Sequence, residues 1–206
     1  MALQVEDLED ESRFRKILTL SYGDLLPFIF EYLKRRSVLI ISFWIICIAF
    51  LLTALKIRYN ISGYYPVYRI MLHSLLGLVI FPVISIPLHE LLHIIPYFFS
   101  GARNIRAGMD LKQYLFYVTA HRHVATPAVF RIVALIPFIV ISAISIYLIY
   151  TMPGLWKWSI SLFLFTHATM CAGDFALLNF YFSRRGRKIF TWDDADMKEA
   201  YFYEMI

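Results

Sequence analysis

The chain has 206 residues, 60% of them hydrophobic and only 17% charged. Soluble domains run at about 45–50% apolar and about 25% charged, so long apolar runs at this density exclude an ordinary soluble domain and predict an integral membrane protein. The net charge of +5 does not point to nucleic acid. The basic residues Lys34, Arg35 and Arg36, then Arg184, Arg185, Arg187 and Lys188, flank apolar runs, where they set topology and meet anionic lipid.

The amino-terminal stretch is acidic (Glu6, Asp7, Glu9, Asp10, Glu11) and has no small-residue cleavage site after a short apolar core. It does not read as a cleavable signal peptide, and the first span is expected to act as an uncleaved anchor. Next, Ser21 to Arg36 pairs an apolar front with a basic end. This predicts an amphipathic helix on the cytoplasmic surface, or alternatively a soluble helix packed on the chain's own tail.

Four spans follow, each with the roughly 20 residues needed to cross about 30 Å of hydrocarbon. They run from about Val38 to Ile57, Ile70 to Phe99, Ile132 to Tyr150 and Trp156 to Phe182. The second is too long for a straight crossing and carries Pro82, Pro87 and Pro96, so it is expected to tilt or break near Pro82 and Pro87. Cys47 and Cys171 fall within apolar runs, where buried free thiols are ordinary.

Between spans two and three, "NIRAGM" and the aromatic, β-branched "QYLFYVTA" predict a short β-hairpin with its turn at Asp110 to Lys112. An irregular interfacial loop is the alternative. Lys and Arg are denser in the connections on the side of both termini, which places those termini in the cytoplasm. The predicted fold is mainly α and polytopic, with four transmembrane helices and a short cytoplasmic-side β-hairpin. It divides into a cytoplasmic segment over 1–37, a membrane domain over 38–182 and a cytoplasmic tail over 183–206. The tail combines acids with aromatics, is expected to fold back on the domain, and carries no candidate site.

The chemistry concentrates at His89-Glu90-Leu91-Leu92-His93, an H-E-x-x-H sequence inside the second span. Residues four apart share a helix face, so two imidazoles can converge on one metal ion while Glu90 reaches a water beside it. A charged group in a span costs roughly 2.5–3.5 kcal/mol even on lenient scales, so these residues need a compensating role. A polar cluster satisfied by interhelical hydrogen bonds is the plain alternative. Three protein ligands plus water is the usual catalytic zinc set, and the remaining buried candidates are His167, Cys171 and Asp174. Asp174 lies roughly eight residues, about 12 Å, from the cytoplasmic end of span four, level with the His89–His93 pair, whereas His167 sits two turns deeper. Asp174 is therefore the better third ligand. His167 reads as a partner to a ligand, a substrate contact or a core histidine, and Cys171 as a small buried hydrophobe. His73 is too far along its helix to join them, and His121 and His123, flanking Arg122, read as solvated or lipid-facing.

With HELLH and a late Gly173-Asp174, the chain resembles a family of small bacterial membrane proteins described as zincin peptidases, itself a domain-of-unknown-function family. The resemblance covers about Tyr68 to Phe182, including "YVTA". More distantly, the chain is similar to site-2 proteases, the intramembrane zinc metalloproteases, although there Gly follows the aspartate and here Phe175 does. The resemblance implies Zn2+ held by His89, His93 and Asp174, Glu90 as general base, a bacterial inner-membrane location, and a membrane-protein or peptide substrate. The competing expectation is a membrane scaffold, or a transport component handling metal or protons, that hydrolyses nothing. No oligomeric state follows from the sequence.

Overall fold

The computed structural model describes residues 3–110 and 115–206. Its helices are α1 (Leu25–Lys34), α2 (Val38–Asn60), α3 (Val67–Leu75), α4 (Phe81–Phe99), α5 (Pro127–Thr151), α6 (Gly154–Met170) and α7 (Ala172–Ser183). Five strands complete it: β1 (Phe14–Ser21), β2 (Ile105–Asp110), β3 (Leu115–Ala120), β4 (Ile189–Asp194) and β5 (Glu199–Met205). Three stretches are long and apolar enough to cross a membrane, Val38–Asn60, Val67–Phe99 and Pro127–Thr151. The bent pair α6–α7 makes a fourth if counted as one span.

Local chemistry sets the helix ends. The Ser37 hydroxyl accepts from the Ile40 N–H at 3.2 Å and starts α2, and Thr126 does the same for Val129 at the start of α5, where Pro127 occupies the first turn. Helix α6 packs against α2, α3 and α5, and its side chains Ser159, Ser161, His167 and Ala168 are fully buried. At Gly77 a Cβ would stand 2.3 Å from the Ser159 carbonyl oxygen. Only glycine permits that close an approach.

Two spans are irregular. The second does not break at Pro87: the chain stays helical from Val67 to Phe99, with one π turn over Leu76–Ile80 just ahead of Pro82. Pro82 has no N–H to offer the preceding turn, and the wider turn, closed by the Phe81 N–H on the Leu76 carbonyl, takes up the mismatch. The fourth is not one straight span. It bends by 41° between α6 and α7, where the backbone leaves helical geometry at Cys171.

The hairpin forms where predicted, β2 pairing antiparallel with β3 from Ile105↔Ala120 to Asp110↔Leu115. Of its predicted turn, Leu111 and Lys112 lie outside the described residues. The three-stranded sheet in order β1-β5-β4 was not foreseen. It joins the two ends of the chain, with Phe14 opposite Met205 and Ile189 opposite Glu204. Helix α1 lies on this sheet, burying Phe28 and Tyr32 with Phe180, Ile189 and Phe202, so the helix packed on its own tail is the observed arrangement. The Asn179 side-chain amide donates to the carbonyls of Tyr32 (2.7 Å) and Arg35 (3.1 Å), satisfying the last turn of α1 and fastening it to α7. The β4 backbone bonds in turn to the segment after β3, Ala125 N–H to Thr191 O at 2.7 Å and Arg122 N–H to Asp193 O at 2.9 Å. Sheet, hairpin and helix ends thereby enclose one space.

Candidate metal centre

That space is a cavity of about 250 Å³. His89, Glu90 and His93 enter it from α4, Val118 and Thr119 from β3, Asp174 from α7, Asp193 from β4, and Tyr22 from the turn after β1. The 41° bend at Cys171 starts a fresh helix there, and Asp174 sits in the first turn of α7, where unpaired N–H groups face a negative charge.

The polar atoms converge tightly. His93 Nδ1 lies 2.9 Å from the Val133 carbonyl oxygen of α5. A carbonyl only accepts, so Nδ1 carries the proton and His93 Nε2 presents a lone pair. His89 Nε2 is 3.2 Å from it, and the Asp174 carboxylate oxygens lie 3.5 Å from His89 Nε2 and 3.6 Å from His93 Nε2. On its other side, His89 Nδ1 meets His167 Nε2 at 3.2 Å. Without a cation the protons run His167 to His89 to His93 to Val133. A cation held there would require His89 to present its Nε2 lone pair and donate from Nδ1 to His167, the arrangement in which a ligand imidazole is held by its second nitrogen.

The donor set fits zinc. Ligands about 2.0–2.1 Å from a tetrahedral ion stand about 3.3 Å apart, close to the 3.2 Å between the two imidazole nitrogens and to the 3.5 Å from His89 to Asp174 Oδ2 and 3.6 Å from His93 to Asp174 Oδ1. Glu90 lines the same cavity, beside Val118 of β3. His167, fully buried, has no partner for Nδ1 among the described residues.

The family model described as "Putative zincin peptidase", domain-of-unknown-function family 3267, matches residues 82–186, just over half of the 206. The chain belongs to this family. No curated protein and no solved structure matches it. Family membership points to a metallopeptidase and implies zinc, and the matched stretch contains His89, Glu90, His93 and Asp174.

The structure thus brings together all four residues named from sequence, with His167 against His89. His121, expected to be solvated or lipid-facing, is instead mostly buried: its Nδ1 accepts from the Ala195 N–H at 3.0 Å and its Nε2 lies 3.6 Å from Asp196. It fastens the β4–β5 turn. His123 Nε2 pairs with the Ser100 hydroxyl at 2.9 Å, and His73 Nδ1 with that of Ser159 at 2.7 Å. The tail, expected to carry nothing for the site, supplies Asp193 to the cavity. The one sequence signal for it is an acid between Trp192 and a turn in an otherwise aromatic strand, which does not separate it from its neighbour Asp194.

Proposed function

We propose that the chain is a membrane-embedded zinc endopeptidase in which His89, His93 and Asp174 hold the metal and Glu90 is the general base. The observation that supports this most directly is the spacing of the three donors, with His93 Nε2 held proton-free by the Val133 carbonyl. Zinc bound there supplies Lewis acidity toward a scissile carbonyl and acidifies coordinated water. Glu90 takes the proton from the attacking water and returns it to the departing amine. Glu90 sits beside Val118 on the hairpin side of the cavity, and His167 orients His89. The outward edge of β3 beside Glu90 has no strand partner among the described residues, and an extended substrate segment lies along it by strand addition. Both termini and the cavity mouth face the cytoplasm of a bacterial inner membrane, as the distribution of Lys and Arg favours.

The test uses the full chain in detergent, with bound zinc measured by atomic emission and cleavage followed on a mixture of quenched fluorescent peptides. Glu90→Gln keeps zinc and abolishes cleavage, while His93→Ala loses both. Cleavage that survives Glu90→Gln rejects the assigned base, and a wild-type chain that binds no zinc rejects the reading as a whole.

A further inference from the structure

Once the metal ligands and the base are assigned, one carboxylate in the cavity is left without a task. Asp193 projects from β4 into the space that holds His89, Glu90, His93 and Asp174. Among the described residues no Lys or Arg side chain lines this cavity, and no cationic group makes an ion pair with Asp193. The nearby arginines are engaged elsewhere, Arg106 with Asp196 and Arg122 with Glu6. An ionised acid facing an enclosed space without a counter-charge is costly unless a cation arrives to meet it.

The neighbouring atoms point the same way. Thr119 is 3% exposed and lines the cavity. Its hydroxyl faces Asp193 and favours the charged carboxylate, and its oxygen lone pairs, with no partner by strict geometry among the described residues, can accept from a cationic N–H. Tyr97, one turn beyond His93 on α4, lines the same cavity as Asp193, His89, His93 and Asp174. The cavity is smaller than the about 300–1,000 Å³ of typical small-molecule sites, a size that suits one side chain and its adjoining backbone.

We infer that Asp193, with Thr119 beside it, forms a subsite for a cationic nitrogen of the substrate: the ammonium or guanidinium of a Lys or Arg residue next to the scissile bond, or a free α-amine. This rests on the metallopeptidase reading above and adds a substrate class to it. At neutral pH the carboxylate accepts the charged N–H while the neighbouring amide lies at the metal centre. A charge-assisted bond of this kind, against a neutral chain of equal length, is worth about tenfold or more in affinity.

The experiment measures binding rather than turnover. Zinc-loaded full chain in detergent is titrated calorimetrically with Nα-acetyl-lysine hydroxamate, Nα-acetyl-norleucine hydroxamate and norleucine hydroxamate with its α-amine free. The expected result is about tenfold tighter binding of the lysine probe, or of the free-amine probe, than of the acetylated norleucine probe. Which of the two it is distinguishes a side-chain cation from a chain terminus. Asp193→Asn removes that difference and leaves the acetylated norleucine affinity within about twofold. Asp193→Glu keeps a preference, and Asp193→Ser is the second charge-removing variant if Asn does not fold. Equal affinities for all three probes in zinc-loaded wild type overturn the subsite and leave the metal centre standing. So does a preference that persists without the Asp193 carboxylate. Absence of zinc from the wild-type chain overturns the metallopeptidase reading, and the subsite with it.

Discussion

Replacing Asp193 with asparagine should stabilise the metal-free fold at pH 8 far more than in acid. Burial raises the Asp193 carboxyl from its ordinary 3.8 to about 6, so the folded chain holds this proton at pH values where the unfolded chain has released it. Stability therefore falls as pH rises through that window and levels off above about pH 7. A pKa gap of about 2 corresponds to about 3 kcal/mol at the plateau and about 1 kcal/mol at pH 4.5. Asparagine keeps the shape and removes the ionisation. For a chain of this size about 3 kcal/mol is roughly 6–12 °C in Tm, and water entering the cavity screens it to about half. The assay is thermal unfolding of EDTA-treated wild type and Asp193→Asn in the same detergent at pH 4.5 and pH 8. A Tm difference that is the same at both pH values, or a variant less stable than wild type at pH 8, refutes the reasoning.

Three other perturbations test the scaffold of the site. His167→Phe should keep the fold and weaken zinc binding by about 10–100-fold, the usual cost of losing the group that holds a ligand imidazole, measured by competition with a chromophoric chelator. Gly77→Ala places a methyl 2.3 Å from Ser159 O and 2.7 Å from Leu162 Cβ. It should lower stability by about 1–3 kcal/mol or more, read as a drop in Tm. Asn179→Ala leaves the Tyr32 and Arg35 carbonyls without their donor and should cost about 1–3 kcal/mol. The loss should appear in hydrogen exchange as earlier opening of α1 than of α2.

The candidate metal donors are legible in the sequence because their grouping is mostly local. Two histidines four apart share a face on any helix, and an aspartate in an apolar run is conspicuous by its rarity. The hairpin is legible for the same reason, its strands being near neighbours. The sheet is not: Phe14 pairs with Met205 across nearly the whole chain, and no short-range pattern names such a partner. The bend at Cys171 is equally hidden, since no proline marks it and the apolar run continues through it. Asp193 and Asp194 look alike in the tail; the pleat of β4 decides between them, sending Thr191 and Asp193 to the cavity and Trp192 into a cluster with Phe14 and Phe190 on the other side.

That sheet has a further consequence. His89, Glu90, His93 and Asp174 all fall within residues 82–186, whereas Tyr22 and Asp193, which line the same cavity, come from the flanking ends. On the proposed reading the groups assigned to hydrolysis lie inside the matched stretch, while of the cation subsite Thr119 lies inside it and Asp193 outside. On that reading, exchanging the carboxy-terminal end between related chains would replace the Asp193 side of the cavity and leave His89, Glu90, His93 and Asp174 in place.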